Sequence, residues 1–359
     1  MRSCHRFPVR YLWGTVTGGY ATLTARLLSC NPFRVKIMCP SVVLSYHPRF
    51  QNILLNSESF SPKMTALVMK LNTLIKSTLI AAALCCTQAF AADIPEEYSV
   101  GDGFFVGSQA YSFNRFTLFE AIEKNAAAGG KVIEFFPGQR ISKDIDQGIG
   151  PDTSDENLQK VKDKLAQYNM KVVSFGVTGA GDEAGFRKIF EFCKKMDIRA
   201  FACEPSKDLL PVLDKLVKEY DVMVAIHNHP RQPNNPDYWV WDPVAVYNAV
   251  KDLDPRIGSC ADIGHWIRSG LNPIYCLKVL EGRIIYSHMK DLHEFSGAGH
   301  DVPWGTGISD IPAVLNELKR QGFKGNMSIE YEYNWDNSLP EISQCIGFVR
   351  GYAAKGAKK

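Results

Sequence analysis

Short apolar runs rich in Val, Ile and Phe alternate with amphipathic runs of roughly 10–16 residues along most of this chain. The apolar runs predict strands near residues 105–112, 131–136, 171–177, 199–204, 222–229, 257–263, 284–290 and 326–332. The amphipathic runs predict helices near residues 116–128, 154–168, 183–196, 207–220, 242–251, 272–280, 309–321 and 338–352. Regular alternation of strand and helix indicates a parallel sheet with right-handed crossovers.

The number and length of these units favour one closed architecture. Eight strand–helix units in about 250 residues match the size of a (β/α)8 barrel, the TIM barrel. An open doubly wound sheet is the alternative, and it would usually carry a glycine-rich phosphate turn after the first strand. Val106-Gly107-Ser108-Gln109 is not such a turn. We therefore predict a single α/β TIM-barrel catalytic domain over residues 92–359.

The charge of the chain is divided unevenly. The 359 residues carry a formal charge of +3, but residues 1–91 hold ten of the 41 lysines and arginines and only one of the 38 acidic residues. The remaining 31 basic and 37 acidic residues give residues 92–359 a charge of about −6. An acidic body argues against a nucleic-acid partner.

Residues 69–91 have the ordered features of a secretory signal peptide: two lysines, a short apolar core and an A-x-A cleavage site that ends at Ala91. The apolar core is too short to span a bilayer. We expect export to the periplasm or the medium, with no membrane span after Ala92. Because a signal peptide belongs at an N-terminus, we interpret residues 1–68 as an upstream extension from a wrongly chosen start codon. A real basic presequence is the alternative.

The histidines are concentrated in one part of the chain. Six of the eight lie from His227 to His300, and none lies in the 135 residues before His227. Most follow the predicted strands five to seven, whose carboxyl ends converge at one mouth of a barrel. Imidazole and carboxylate ligands from successive strand ends can hold one divalent cation. We predict a site formed by His227, Asp262, His288 and Glu330. The competing interpretation is that each histidine satisfies a core hydrogen bond.

Five short motifs follow the later strands: Ala225-Ile226-His227-Asn228-His229, Asp262-x-x-His265, His288-x-Lys290-Asp291, Gly305-Thr306-Gly307 and Ser328-Ile329-Glu330-Tyr331-Glu332. In this order they resemble the sugar phosphate isomerase/epimerase family, which has a xylose isomerase-like TIM barrel. The resemblance runs from about residue 104 to 354 and suggests a secreted branch of that family.

The resemblance implies one Mn²⁺-like ion held by a Glu, an Asp, a His and a second Glu from strands five to eight. Asp262, His288 and Glu330 match the last three ligands, and His227 stands where the family has its first Glu. In related epimerases the two Glu ligands also form the acid/base pair, so this departure removes one carboxylate of that pair. Mn²⁺ is the expected ion, with Mg²⁺, Co²⁺ or Zn²⁺ as alternatives.

Other residues at the predicted mouth complete the hypothesis. Glu330 is the expected base, Glu204 after strand four could supply a second catalytic carboxylate, and Lys290 could neutralise an enolate. The residues expected to contact substrate are His229, His265, Glu134 and Trp304.

These residues predict a divalent-metal-dependent isomerase or epimerase that removes a proton next to a carbonyl of an unphosphorylated sugar. The main alternative is a lyase or hydratase that acts on 3-keto-sugars or 3-keto-glycosides at the same metal site. A nuclease of the endonuclease IV type would need histidine ligands from early strands, which residues 92–226 do not contain. A non-catalytic carbohydrate-binding protein is a third possibility. The sequence leaves the oligomeric state open.

Overall fold

The computed structural model describes residues 20–23, 35–38 and 93–356. The first two segments form a short antiparallel pair, Tyr20–Leu23 with Val35–Met38. The predicted signal peptide and the rest of the predicted upstream extension lie outside the described residues. No helix among the described residues is both long and apolar enough to cross a bilayer.

Eight parallel strands form the main sheet within residues 93–356. They are β1 (Phe105–Ser108), β2 (Val132–Phe135), β3 (Lys171–Thr178), β4 (Ala200–Cys203), β5 (Met223–His227), β6 (Ile257–Asp262), β7 (Ile284–Met289) and β8 (Asn326–Ile329). From β2 to β8 each strand pairs with the next, and β8 pairs back with β1. An isolated parallel bridge between Gln109 and Glu134 links β1 to β2. The predicted TIM barrel is therefore confirmed.

Nine α-helices connect or follow these strands within the same described range. They are α1 (Leu118–Ala128), α2 (Asp155–Gln167), α3 (Glu183–Met196), α4 (Leu210–Tyr220), α5 (Pro243–Val250), α6 (Ile263–Arg268), α7 (Pro273–Val279), α8 (Ile311–Arg320) and α9 (Leu339–Gly356). Eight correspond to predicted helices, and α6 is an addition that follows β6 without a loop. The predicted first strand was too long, because the backbone turns into a 3-10 helix at Ala110–Phe113.

The helix ends follow local chemistry. Thr117 and Glu120 form a reciprocal capping box at the start of α1. Gly129 ends that helix with a φ of 94°, a left-handed conformation that costs glycine little. Along α3, Phe186, Phe190 and Cys193 are buried at helical spacing, so this face packs on the outside of the sheet.

The barrel interior is lined by a second, smaller set of side chains. Ala202, Ala225, Cys260 and Tyr286 belong to this inner cluster, which is separate from the core between sheet and helices. Because alternate residues of a strand share a face, the residues two positions later also point inward. His227 follows Ala225 in this way, just as Asp262 follows Cys260 and His288 follows Tyr286. The strand period therefore places these polar residues at the top of the barrel interior.

The loop after β7 has its own internal order. Its ends form a small antiparallel ladder, Asp291–Leu292 with Asp301–Val302. The Asp291 carboxylate accepts hydrogen bonds from the backbone N–H groups of Gly305 (2.8 Å), Gly307 (2.9 Å) and Ser309 (3.0 Å). A Cβ on Gly307 would lie 2.3 Å from the Leu292 carbonyl oxygen. The Gly305-Thr306-Gly307 motif therefore shapes this loop.

Candidate metal centre

The four predicted ligands meet at the carboxyl ends of β5 to β8. One ligand atom from each of His227, Asp262, His288 and Glu330 lies within 4.8 Å of the others. The first three residues are fully buried and Glu330 is 6% exposed. Two imidazoles and two carboxylates in one small volume are a donor set suited to a divalent cation.

His227 is oriented by a carboxylate behind it. Its Nδ1 lies 3.0 Å from Glu204 Oε1. Burial alone would raise the pKa of Glu204, but hydrogen bonds from His227 and His229 lower it well below its usual range. The ionised carboxylate can only accept, so His227 Nδ1 carries a proton. Burial would lower the pKa of His227, but its contacts with Asp262 and Glu204 raise it, so Nε2 would offer a lone pair once a bound metal ion displaces its proton. That Nε2 lies 3.7 Å from Asp262 Oδ2 and has no hydrogen-bond partner among the described residues.

His288 is also oriented by a carboxylate behind it, but through its Nε2 rather than its Nδ1. Its Nε2 lies 3.1 Å from Glu134 Oε2, and Glu134 Oε1 accepts a hydrogen bond from the Tyr286 hydroxyl (2.8 Å). The His288 Nδ1 faces Glu330 Oε2 at 3.1 Å and Asp262 Oδ2 at 3.9 Å. A carboxylate behind a ligating imidazole is a common arrangement around bound metals.

The protonation of His288 depends on what occupies the centre. Burial alone would lower the pKa of His288, but Cys260, Glu330 and Glu134 around it raise the pKa well above its usual value. A cation favours the neutral imidazole instead, because metal ligands must be deprotonated. Binding of a metal ion at this site would therefore release a proton from His288.

Lys290 brings a buried positive charge to the same carboxylates. Its Nζ donates to Asp262 Oδ2 (2.7 Å) and to Glu330 Oε2, and lies 3.5 Å from Glu332 Oε2. Burial opposes the charge, but these acids raise the pKa of Lys290 well above its usual value. A Cβ on Gly264 would lie 2.6 Å from Lys290 Cβ, so the missing side chain there makes room for the lysine. A bound cation would share its carboxylate oxygens with this ammonium group.

His265 lies on α6, which starts inside the centre. Asp262 caps this helix, since its Oδ1 accepts from the His265 backbone N–H (2.7 Å). Arg268 Nη1 lies 3.1 Å from His265 Nδ1. A guanidinium group only donates, so Nδ1 must accept and the ring proton must be on Nε2. That Nε2 lies 3.6 Å from Asp262 Oδ2. Burial lowers the pKa of His265 well below its usual value, consistent with a neutral ring that offers an N–H to the centre.

Glu204 and His229 form the solvent side of the centre. The Nδ1 of His229 contacts Glu204 Oε1, and the Tyr238 hydroxyl donates to Glu204 Oε2 (3.0 Å). The His229 side chain is 46% exposed, so its Nε2 is available to a bound molecule. A pocket of about 200 Å³ opens beside Glu204 and Tyr238.

Two residues expected to contact substrate are buried. Trp304 is only 3% exposed and belongs to the main hydrophobic core, and its backbone N–H is 3.5 Å from Cys345 Sγ. The indole is therefore buried in the core between sheet and helices and offers almost no surface to a bound molecule. Glu134 is fully buried and contacts His288 and Tyr286, so the structure places it behind a proposed ligand.

Sequence reasoning missed Arg268, Tyr286 and the contact of Tyr238 with Glu204. The signal for Arg268 was present in Asp262-x-x-His265-x-x-Arg268, since residues three apart on a helix are neighbours. Finding it would have required recognising α6. Tyr238 and Tyr286 reach their glutamates across 34 and 152 residues of sequence, respectively, and no local pattern marks such contacts.

A closed (β/α)8 barrel with a His/Asp/His/Glu cluster at its carboxyl-terminal mouth defines the class of this protein. The sequence model described as xylose isomerase-like TIM barrel matches residues 122–350. The chain therefore belongs to the xylose isomerase-like TIM-barrel family. None of the curated proteins matches the chain.

Solved structures agree with this assignment. An uncharacterised protein from Parabacteroides distasonis is 34% identical, with 70% of this chain and 99% of that chain covered and a TM-score of 0.57. A D-tagatose 3-epimerase-like protein is 16% identical over 71% of this chain and 100% of that chain, with a TM-score of 0.56. A probable 3-DHS dehydratase from Bacillus anthracis is 11% identical over 68% of this chain and 98% of that chain, with a TM-score of 0.52. The last two show a shared fold.

Proposed function

We propose that this protein is a metal-dependent sugar-processing enzyme that removes a proton next to a carbonyl group of an unphosphorylated sugar. The observation that carries the proposal is the convergence of His227 Nε2, Asp262 Oδ2, His288 Nδ1 and Glu330 Oε2. The family and the epimerase-like structural neighbour support a sugar as substrate. These four residues would hold one divalent ion, which would polarise a carbonyl oxygen and so acidify the neighbouring C–H group.

Glu330 is the proposed base. Its hydrogen bond from Lys290 and its contact with His288 both use Oε2, which leaves Oε1 for a substrate proton. Burial would raise the pKa of Glu330, but Lys290 and His288 hold it well below its usual value, so the carboxylate is ionised. The buried Lys290 ammonium and the His265 N–H would stabilise negative charge that develops on the substrate oxygen.

His229 is the proposed partner of Glu330 in proton transfer. Because Nδ1 contacts the Glu204 carboxylate, Nε2 is the nitrogen that can exchange a proton with substrate. This pair would replace the carboxylate that the family carries at the position of His227. Return of the proton to the neighbouring carbon would isomerise the sugar, and its return to the opposite face would epimerise it.

A lyase is the second candidate, because the proposed acid/base pair is asymmetric. A carboxylate is suited to take a carbon-bound proton, whereas an imidazolium is suited to protonate a leaving oxygen. Elimination from a 3-keto-sugar or 3-keto-glycoside uses both steps in that order. Glu330 would be the base and His229 the acid in this reaction.

Incubation with a panel of aldoses, ketoses and 3-keto-glycosides in D₂O, followed by NMR, tests the proposal. We expect deuterium at a carbon next to the carbonyl, and loss of this exchange after treatment with a chelator. A rearranged sugar as product would favour the isomerase, and a released substituent would favour the lyase. Full turnover in chelated protein without bound metal would overturn the proposed mechanism.

We also propose that the enzyme acts after export, on the basis of the signal-like residues 69–91. N-terminal sequencing of the exported protein should begin within one or two residues of Ala92. A mature protein that retains residues 1–68 would contradict this proposal.

A further inference from the structure

A groove of about 850 Å³ lies beside the metal centre, next to the carboxyl ends of β1, β7 and β8. Its lining includes Arg115, His300, Asp301, Tyr333, Trp335 and Glu341. Arg268 links the two sites, since Nη1 donates to His265 and Nη2 donates to Asp301 Oδ2 (3.2 Å). The volume is within the range of small-ligand pockets, roughly 300–1,000 Å³. None of the lining residues takes part in the proton transfer proposed above.

Two aromatic side chains in the groove are held in place by other rings. Tyr333 is 48% exposed, and its ring centroid lies 4.2 Å from that of His300. Trp335 makes an edge contact with Tyr111 at 5.5 Å. Rings held in this way present fixed apolar surfaces, and their negative faces attract C–H groups. A pyranose ring offers such C–H groups on its faces.

Three polar residues of the groove have unused hydrogen-bonding atoms. Asp301 Oδ2 accepts from Arg268 and from the Glu332 backbone N–H (3.3 Å), whereas Oδ1 has no partner among the described residues. Glu341 Oε1 accepts from Asn334 Nδ2 (2.7 Å), whereas Oε2 has none. His300 Nδ1 is also without a partner. Because these three atoms are themselves buried, a ligand in the groove would pair with exposed polar side chains of the lining, such as Asn337 and Gln344.

The charges of the groove argue against an anionic ligand. Arg115 is the only lysine or arginine in the lining, and Asp336 pairs with it at 2.5 Å. Asp301 pairs with Arg268, which lies outside the lining, and burial raises the pKa of Asp301 to about 7. The lining therefore offers no unpaired lysine or arginine to a phosphorylated or carboxylated ligand, whereas a neutral sugar needs none.

We propose that this groove is a subsite for a second, neutral sugar ring, so that the substrate is a disaccharide or glycoside. The reacting ring would lie at the metal centre and the other ring beside Tyr333 and Trp335. The identity of the reacting ring rests on the proposed function, whereas binding of the second ring does not require catalysis.

Calorimetric titration of the chelator-treated full chain tests the groove without catalysis. The probes are glucose, cellobiose, maltose, trehalose and sucrose. We expect at least one disaccharide to bind tenfold or more tightly than glucose. Tyr333→Ala and Trp335→Ala should each reduce that preference several-fold, and together they should bring it to within about twofold. Tyr275→Ala is the matched control, since Tyr275 is 55% exposed but lies outside the groove, and it should keep the full preference.

The results separate this inference from the proposed function. If no disaccharide binds better than glucose, or if the preference survives the double substitution, the subsite does not exist, even if keto-monosaccharides are turned over. If the preference is present and is lost in the double variant, the subsite exists, even if no keto-sugar exchanges deuterium. Unchanged thermal unfolding of the variants would show that their effects arise in the groove.

Discussion

The two imidazoles that face the centre are each backed by a glutamate, but the two pairs have opposite surroundings. Glu134, behind His288, is fully buried, and its second oxygen is occupied by the Tyr286 hydroxyl. Glu204, behind His227, is 21% exposed at its side chain and also contacts the exposed His229. The inner pair can only position its imidazole. The outer pair connects a proposed metal ligand to a group that can exchange protons with substrate.

In the proposed mechanism, this difference would accommodate His227 at the position where the resemblance implies a Glu. A carboxylate at the position of His227 could bind metal and move a proton with the same group. An imidazole bound through Nε2 and donating through Nδ1 has no site left for a substrate proton. The neighbouring His229 contacts the same Glu204 and lies closer to solvent, and it could exchange a proton with substrate instead. In the proposed mechanism, metal binding and proton transfer would therefore be carried by different residues on the outer side of the centre.

The largest expected effect distinguishes His288, the proposed ligand backed by the buried Glu134, from His227, the proposed ligand backed by Glu204. His288→Ala should abolish activity and weaken metal binding by more than the roughly 10–100-fold that loss of an orienting partner costs. His227→Glu should retain metal, because carboxylate and imidazole both suit such an ion. Elemental analysis and metal titration measure both variants.

The substitution His227→Glu would also create a repulsion between two carboxylates, and a second substitution controls for it. In His227→Glu, the new carboxylate would face Glu204, which lies 3.0 Å from the present Nδ1. Like charges repel there, so the double variant His227→Glu/Glu204→Gln should bind metal more tightly than the single variant. If His288→Ala and the double variant lose metal to the same extent, His288 and His227 do not differ in how they contribute to metal binding.

The next effect concerns the two proposed proton carriers. Glu330→Gln should lower deuterium exchange next to the carbonyl by roughly 10²–10⁴-fold, the usual contribution of a general base. In the lyase reaction, His229→Gln should lower product release but preserve exchange, because His229 acts on the leaving oxygen. In an epimerase, His229→Gln should block inversion. NMR in D₂O under saturating metal measures exchange and product together. Exchange in Glu330→Gln at the wild-type rate would place the base elsewhere.

The sequence was sufficient for the barrel and for the interior location of the centre. Hydrophobic period and element length predicted the eight parallel strands, and the positions of His227, Asp262, His288 and Glu330 at successive strand ends predicted that these residues meet. The sequence did not predict contacts between side chains that meet across the barrel interior. The hydrogen bond from Tyr286 to Glu134 depends on curvature that brings β7 opposite β2, and no local pattern encodes it. Trp304 was expected to contact substrate, but its indole is buried in the main core, a tertiary contact that the local sequence does not reveal.

A smaller effect compares the two backing glutamates directly. Glu134→Gln and Glu204→Gln should each weaken metal binding by roughly 10–100-fold. Only Glu134→Gln should also lower the free energy of unfolding, by about 1–3 kcal/mol, because its amide leaves a buried donor of Tyr286 or His288 unpaired. Urea unfolding of the chelator-treated proteins measures this change in the free energy of unfolding without a contribution from metal binding. Equal stability of the two variants would show that burial does not distinguish the pairs.

The smallest effect tests Arg268 as a positioning residue for His265. Arg268→Met removes the donor to Nδ1, so the ring could carry its proton on either nitrogen, and turnover should fall about tenfold, equivalent to roughly 1.4 kcal/mol. Loss of the Asp301 and Glu332 contacts could lower stability alone, so activity does not decide the matter. The ¹⁵N NMR shifts of His265 do: they should report Nε2–H in wild type and a mixture in Arg268→Met. Arg268→Lys, which can still donate, should keep the wild-type tautomer. Unchanged ¹⁵N shifts in Arg268→Met would show that another group fixes the ring, and His265 would then present its N–H to the centre independently of the groove.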